Sequence, residues 1–194
     1  MRISEIERNT KETQIELSLN LDGTGKSDID TGVGFLNHML TLFAKHSGFD
    51  LTVHCKGDID VDNHHSIEDI GISLGLALSE CLKDKNGLTR YGNMFLPMDE
   101  SLCQVTVDIS GRSYLVFNCD FDRELCGDME TEMVEEFFRA VSDNAKITLH
   151  INMMYGKNTH HKIEAMFKGF GQAMKQAAKK DSNIVGVLST KGVL

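Results

Sequence analysis

The stretches that decide how this chain is read are DNHHSIED, residues 62–69, and NTHHKIEA, residues 158–165. The chain has eight histidines, and four of them stand in these two adjacent pairs. Each pair is followed at the same distance by Ile and Glu, so His-His-x-Ile-Glu is written twice, 96 residues apart in a chain of 194. Around it, Thr52-Val53-His54 matches Thr148-Leu149-His150 at the same offset, and Leu74-Gly75 and Ala77-Leu78 meet Phe170-Gly171 and Ala173-Met174. A fixed offset kept in order along the chain is the mark of a tandem duplication.

Each half offers the same run of elements. TQIELSLNL (13–21) and SLCQVTVDIS (101–110) alternate in polarity, as half-buried strands do. GFLNHMLTLFAKHS (34–47) and EMVEEFFRAVSDNA (132–145) carry apolar residues at helical spacing. They are followed by short strands in FDLTVHC (49–55) and KITLHIN (146–152), and then by helices running from the doublets to about Lys83 and Lys180. Strand, strand, helix, strand, helix, used twice, implies an α+β protein in which helices cover one face of each of two small sheets. The repeats are expected at residues 1–95 and 96–194, fused into one compact unit.

Bulk properties exclude several classes. Hydrophobic residues make up 41% and charged residues 25%, and there is one proline, which together describe an ordinary folded domain. A net charge of −9 with no basic run argues against a nucleic-acid partner, but a few local Lys and Arg can still hold an anionic substrate. Five cysteines without Cys-x-x-Cys spacing predict free thiols in a reducing compartment. With no apolar signal core and no membrane-length apolar run, a cytoplasmic location is expected and a membrane role is not. LDGTGKSDIDTGVG (21–34) is glycine-rich but lacks nucleotide-loop spacing.

The doublets suit metal binding. Neighbours on a helix point about 100° apart, so His64 and His65 serve different sites, and Glu68 lies within a turn of both. His160, His161 and Glu164 repeat the arrangement. Upstream, His38 precedes His64 by 26 residues and Glu136 precedes His160 by 24, so a two-residue loop difference aligns them; Glu135 competes with Glu136 for the place. Imidazole with carboxylate and no thiolate favours a six-coordinate ion such as Mn²⁺ or Fe²⁺, with Zn²⁺ also suited. His54 and His150 lie in apolar strands and are read as structural. Arg90, Arg112, Lys168 and Lys191, taken singly, are ordinary surface charges. LSTKG (188–192) has hydroxyls, a lysine and a glycine of the kind that cradle phosphate.

Together with the early ETQIELSLNLDGTG, TGVGFLNHML, PMDESL, DISGRSYL and the closing STKGVL, these motifs resemble the imidazoleglycerol-phosphate dehydratases over essentially the whole chain. The resemblance implies a lyase of histidine biosynthesis that removes water from imidazole glycerol phosphate to give imidazole acetol phosphate. It implies two Mn²⁺ per subunit held by His38, His64, His65, Glu68, His160, His161 and Glu164, with Glu136 as a further ligand. It also implies a 24-subunit shell of trimers with sites formed between subunits. By the same match, Glu12, His46, Arg90, Arg112, Lys168, Ser189 and Lys191 contact substrate, and Glu12, Glu68 and Glu164 are the candidate bases. A binuclear phosphohydrolase and a non-catalytic metal-stapled shell are the alternatives the residues leave open.

Overall fold

The computed structural model describes all of Met1–Leu194. The first repeat is built from β1 (Ile3–Asn9), β2 (Thr13–Asn20), β3 (Ser27–Asp30), α1 (Gly34–Ser47), β4 (Asp50–Gly57) and α2 (His64–Cys81). The second has β5 (Tyr91–Met98), β6 (Ser101–Asp108), β7 (Tyr114–Asn118), a two-residue-stranded hairpin β8 (Leu125–Cys126) and β9 (Met129–Glu130), then α3 (Met133–Ala145), β10 (Thr148–Tyr155) and α4 (Thr159–Ala177). The strand orders, β1-β2-β4-β3 and β5-β6-β10-β7, are the same topology, with the outer pair β3/β4 or β7/β10 parallel. The duplication is therefore structural. β5 lies wholly in the second sheet, so a division at residue 95 would cut it, and residues 82–90 form the natural joint between the repeats.

Alternation dictates which face of each sheet is covered. Ile15, Leu17 and Leu19 of β2, and Cys103, Val105 and Val107 of β6, are buried, while the intervening polar residues face outward. The helices fill the space between the sheets and pack across the halves: α1 lies on α4, and α2 on α3. Glycines permit this close approach. A Cβ at Gly171 would stand 2.9 Å from the Phe43 carbonyl oxygen of α1, and one at Gly75 would stand 2.8 Å from the Val141 carbonyl oxygen of α3. Phe43 stacks on Phe170 with ring centroids 5.2 Å apart, and Phe138 meets Phe167 at 4.9 Å. One continuous cluster of 47 buried residues spans both repeats, so neither repeat holds a core of its own.

Several details differ from the sequence expectations. β3 (SDID) is short and mostly polar and pairs only at the sheet edge, where alternation is weakest; β7, after the SGRSY turn, takes the same edge place in the second sheet. α2 and α4 stop at Cys81 and Ala177, short of Lys83 and Lys180. The strand register also shifts the correspondence within β4 and β10. Gly57 abuts Thr13 and Ser66, as Gly156 abuts Ser101 and Lys162, which fixes Thr13 opposite Ser101 in the repeat. His54 then faces Glu16 and Asn152 faces Gln104, so the counterpart of His54 is Asn152, and His150 corresponds to Thr52. A bulge between Met153 and Tyr155, followed by a shorter loop, restores the 96-residue offset at the doublets. No helix is long and apolar enough to cross a membrane.

Candidate metal centre

Both doublets sit at helix starts fixed by polar caps. The Asn158 side chain accepts the backbone N–H of His160 at 2.9 Å and of His161 at 3.3 Å, and Asp62 accepts that of His64 at 2.9 Å. The rings within each doublet are 6.2 Å apart and nearly perpendicular, at 78° for His64–His65 and 80° for His160–His161. They are thus aimed at different places.

Packing of α1 on α4 brings His38 of the first repeat to His160 and Glu164 of the second. Glu164 Oε2 lies 3.5 Å from His38 Nε2 and 3.1 Å from His160 Nε2, and the three ligand atoms lie within 4.8 Å of one another. Phe35 braces the His160 ring edge-on at 5.1 Å. Glu164 is buried, and burial works to raise its carboxyl, but Lys168 and His160 outweigh this and hold it below the ordinary carboxylate range. The donor set, two imidazoles and an ionised carboxylate without a thiolate, fits a divalent first-row ion with vacant positions. His46 lies on the same helix as His38, close to Lys168 and Glu164; burial first, then the Lys168 ammonium, lowers its affinity for a proton.

The mirror group is looser. Glu136 occupies the place of His38: α1 ends on the left-handed Gly48, and α3 ends on the left-handed Lys146, each 10 residues beyond its candidate ligand. Glu135, the competing residue, pairs with Arg139 one turn on along the same helix. His64 Nε2 and Glu68 Oε2 are 3.9 Å apart, and no compact three-donor group forms there.

The second histidine of each doublet is held by a carboxylate that sequence patterning had not singled out. His65 Nδ1 meets Asp58 at 3.1 Å, and His161 Nδ1 meets Glu100 at 2.7 Å. Nε2 of each is left pointing outward, toward Glu12 at 3.8 Å for His65 and Asp99 at 3.7 Å for His161. A carboxylate on one ring nitrogen with the other free is how metal-ligating imidazoles are oriented. Glu100 was legible as the repeat counterpart of Glu12, once β2 and β6 are aligned. Asp58 first, and Glu100 first, raise the proton affinity of His65 and His161. These pairs therefore stabilise the metal-free fold fully below the ordinary imidazole value of about 6.5 and lose that contribution as pH rises through the raised folded values. In NMR titrations of metal-free protein, both rings should titrate above ordinary histidine. Asp58→Asn and Glu100→Gln should return His65 and His161, respectively, to it.

The expected phosphate-binding residues lie elsewhere. Arg90 has a left-handed backbone (φ 71°), pairs with Asp108 at 2.7 Å, and donates to the Leu188 carbonyl at 2.7 Å, tying down the tail that carries Ser189 and Lys191. Arg112 follows Gly111, where a Cβ would stand 3.1 Å from the carbonyl carbon of Leu194 in the same tail. The Arg90 N–H bonds to the Ala177 carbonyl at the far end of α4, roughly 25 Å from His160 at 1.5 Å per residue. Lys168 lies between the two, beside Glu164. Arg90 of one chain therefore does not reach that chain's own His160–His161 doublet.

Fold and donor set define a duplicated α+β protein with a candidate metal centre, His38, His160 and Glu164, where its halves cross. The sequence model of imidazoleglycerol-phosphate dehydratase matches residues 31–174. The imidazoleglycerol-phosphate dehydratase of Acetivibrio thermocellus is 58% identical over 190 residues, covering 98% of this chain and 97% of that protein. The protein of the same name from Clostridioides difficile is 56% identical over the full length of both. The crystal structure of the Staphylococcus aureus enzyme superposes with a TM-score of 0.85 at 50% identity, covering 92% of this chain and 99% of that one. That of Pyrococcus furiosus gives 0.84 at 38% identity, covering 97% and 100%. The chain belongs to the imidazoleglycerol-phosphate dehydratase family, a family of metal-dependent hydro-lyases.

Proposed function

We propose that the chain removes water from imidazole glycerol phosphate to give imidazole acetol phosphate in histidine biosynthesis, in the cytoplasm, with two Mn²⁺ per chain and in a 24-subunit shell of trimers. The observation that carries this reading is the meeting of His38 with His160 and Glu164 across the two repeats, in a chain of this family. A divalent ion in such a centre supplies Lewis acidity toward the substrate imidazole and orients the ring.

The remaining work falls to the chain's own side chains. His38, His160 and Glu164 form one half-shell; His64, Glu68 and Glu136 are assigned to its mirror, and His65 and His161, held through Nδ1, present Nε2 to centres completed by neighbouring subunits. The outward aim of those two nitrogens and the distance from Arg90 to His160 support sites shared between subunits. Arg90, Arg112, Ser189 and Lys191 grip the phosphate, where the planar guanidinium offers paired donors. Lys168 keeps Glu164 ionised, and His46, whose affinity for a proton is lowered by burial and by Lys168, borders the substrate. Glu12, near His65 Nε2, competes with Glu68 and Glu164 for the proton on the substrate carbon.

Metal-loaded protein should convert the substrate to an enolisable ketone that keeps its phosphate. Release of inorganic phosphate without ketone would establish the phosphohydrolase instead.

A further inference from the structure

The two repeats break their symmetry at one connection. Residues 31–33 join β3 to α1, whereas residues 119–132 join β7 to α3 and contain the β8–β9 hairpin. This extra segment turns back onto the first repeat. The N-cap of α1 is Val33, which has no side chain able to cap, and the orphan N–H groups of the first turn go to the hairpin. Asp128 Oδ2 accepts from Gly34 N at 2.6 Å, and Oδ1 from Phe35 N at 2.8 Å. Gly34 permits the approach, since a Cβ there would stand 3.2 Å from the carboxylate. A carboxylate at this end is also favoured by the helix dipole.

The same hairpin holds the start of α2. Asn63, at the N-cap of that helix, makes no capping bond to it; its Nδ2 donates to the Asp128 carbonyl at 2.8 Å and to Glu130 at 2.9 Å. Buried Met129 and Cys126 seat the hairpin on the core, and the Thr131 hydroxyl closes it on the Arg123 carbonyl at 2.7 Å just before α3. One short element thus touches the turn before His38, the residue before His64, and the approach to Glu136.

We propose that the β8–β9 hairpin is a positioning device for both metal half-shells. Asp128 sets the α1 turn that carries His38 and the Phe35 ring that braces His160, and Asn63 sets the α2 start that carries His64 and His65. Asp128 and Asn63 are positioning residues that act through backbone. The inference rests on the metal assignment made above.

The test is calorimetric titration of the metal-free full-length protein with Mn²⁺ alone, comparing wild type with Asp128→Ala, Asp128→Asn and Asn63→Ala, alongside circular dichroism. Loss of an orienting contact should weaken Mn²⁺ binding about 10- to 100-fold in Asp128→Ala. Asp128→Asn, which keeps one acceptor, should fall between it and wild type, and Asn63→Ala should weaken the His64 centre while sparing the His38 one. A merely structural hairpin would lower the melting temperature and leave Mn²⁺ affinities within twofold of wild type, which would overturn the proposal. If Asp128→Ala does not fold, the other two variants decide on the same criterion. Wild type that binds no Mn²⁺ would sink the metal assignment and this inference together; wild type that binds it, with unchanged variants, would sink this inference alone.

Discussion

Replacing Glu164 with Gln is expected to lower turnover about a thousandfold, the loss that follows when several kcal/mol of metal-derived stabilisation is removed. The substitution keeps the shape of the side chain but removes the charge that draws a cation between His38 and His160. It also strands Lys168, because the Glu164 and Lys168 side chains are only 9% and 17% exposed and pair directly. That stranding should cost about 1–3 kcal/mol of stability, so the two effects need separating. Adding Lys168→Met to Glu164→Gln removes the stranded charge, and the melting temperature should recover while metal binding does not. Acid should act in the same direction on the wild-type protein. The Glu164 carboxyl is held below its ordinary value, so its contribution is present above the unfolded carboxylate value and is lost as pH falls through the depressed folded value. Protons also compete with a metal ion for its ligand atoms, so acid should release metal as well.

The second large effect concerns the crossing of the halves. In Gly171→Val, Cβ would meet the Phe43 carbonyl oxygen at 2.9 Å and Ser47 N at 3.1 Å, both backbone atoms of α1 that cannot swing aside. Overpacking of this kind costs about 1–3 kcal/mol or more. It would do so by pushing α1 off α4, the contact that brings His38 to Glu164. A loss of stability measured by denaturant unfolding should therefore be accompanied by loss of the first metal site. Gly186→Ala, where nothing lies within 4 Å, isolates the cost of a left-handed glycine from the cost of crowding.

Much of this arrangement was legible in the chain before its structure. The repeated doublet exposed the duplication, alternation in β2 and β6 fixed their buried faces, and the 26- and 24-residue spacings aligned His38 with Glu136. The metal helices were readable because a histidine pair with a glutamate one turn on is a pattern confined to one short segment. β3 escaped because a four-residue strand with a single apolar residue, paired on one side, carries almost no periodicity. The His54–His150 match failed because two compensating changes, a bulge and a shortened loop, leave the local letters aligned while the register has moved. Asp58 escaped because its hold on His65, seven residues on, has no counterpart in the doublet motif, whereas Glu100, 61 residues before His161, shows only once β2 and β6 are aligned and it falls opposite Glu12. The hairpin was invisible because its partners lie in the other repeat.

Each doublet is expected to divide its histidines between two ions, at centres completed only when chains assemble. Metal analysis coupled to size-exclusion chromatography and light scattering tests it most directly. About two Mn²⁺ per chain should elute with a particle near 24 subunits, and removing the metal should dissolve that particle into smaller species. A single ion per chain, or full metal loading on an isolated chain, would contradict the account.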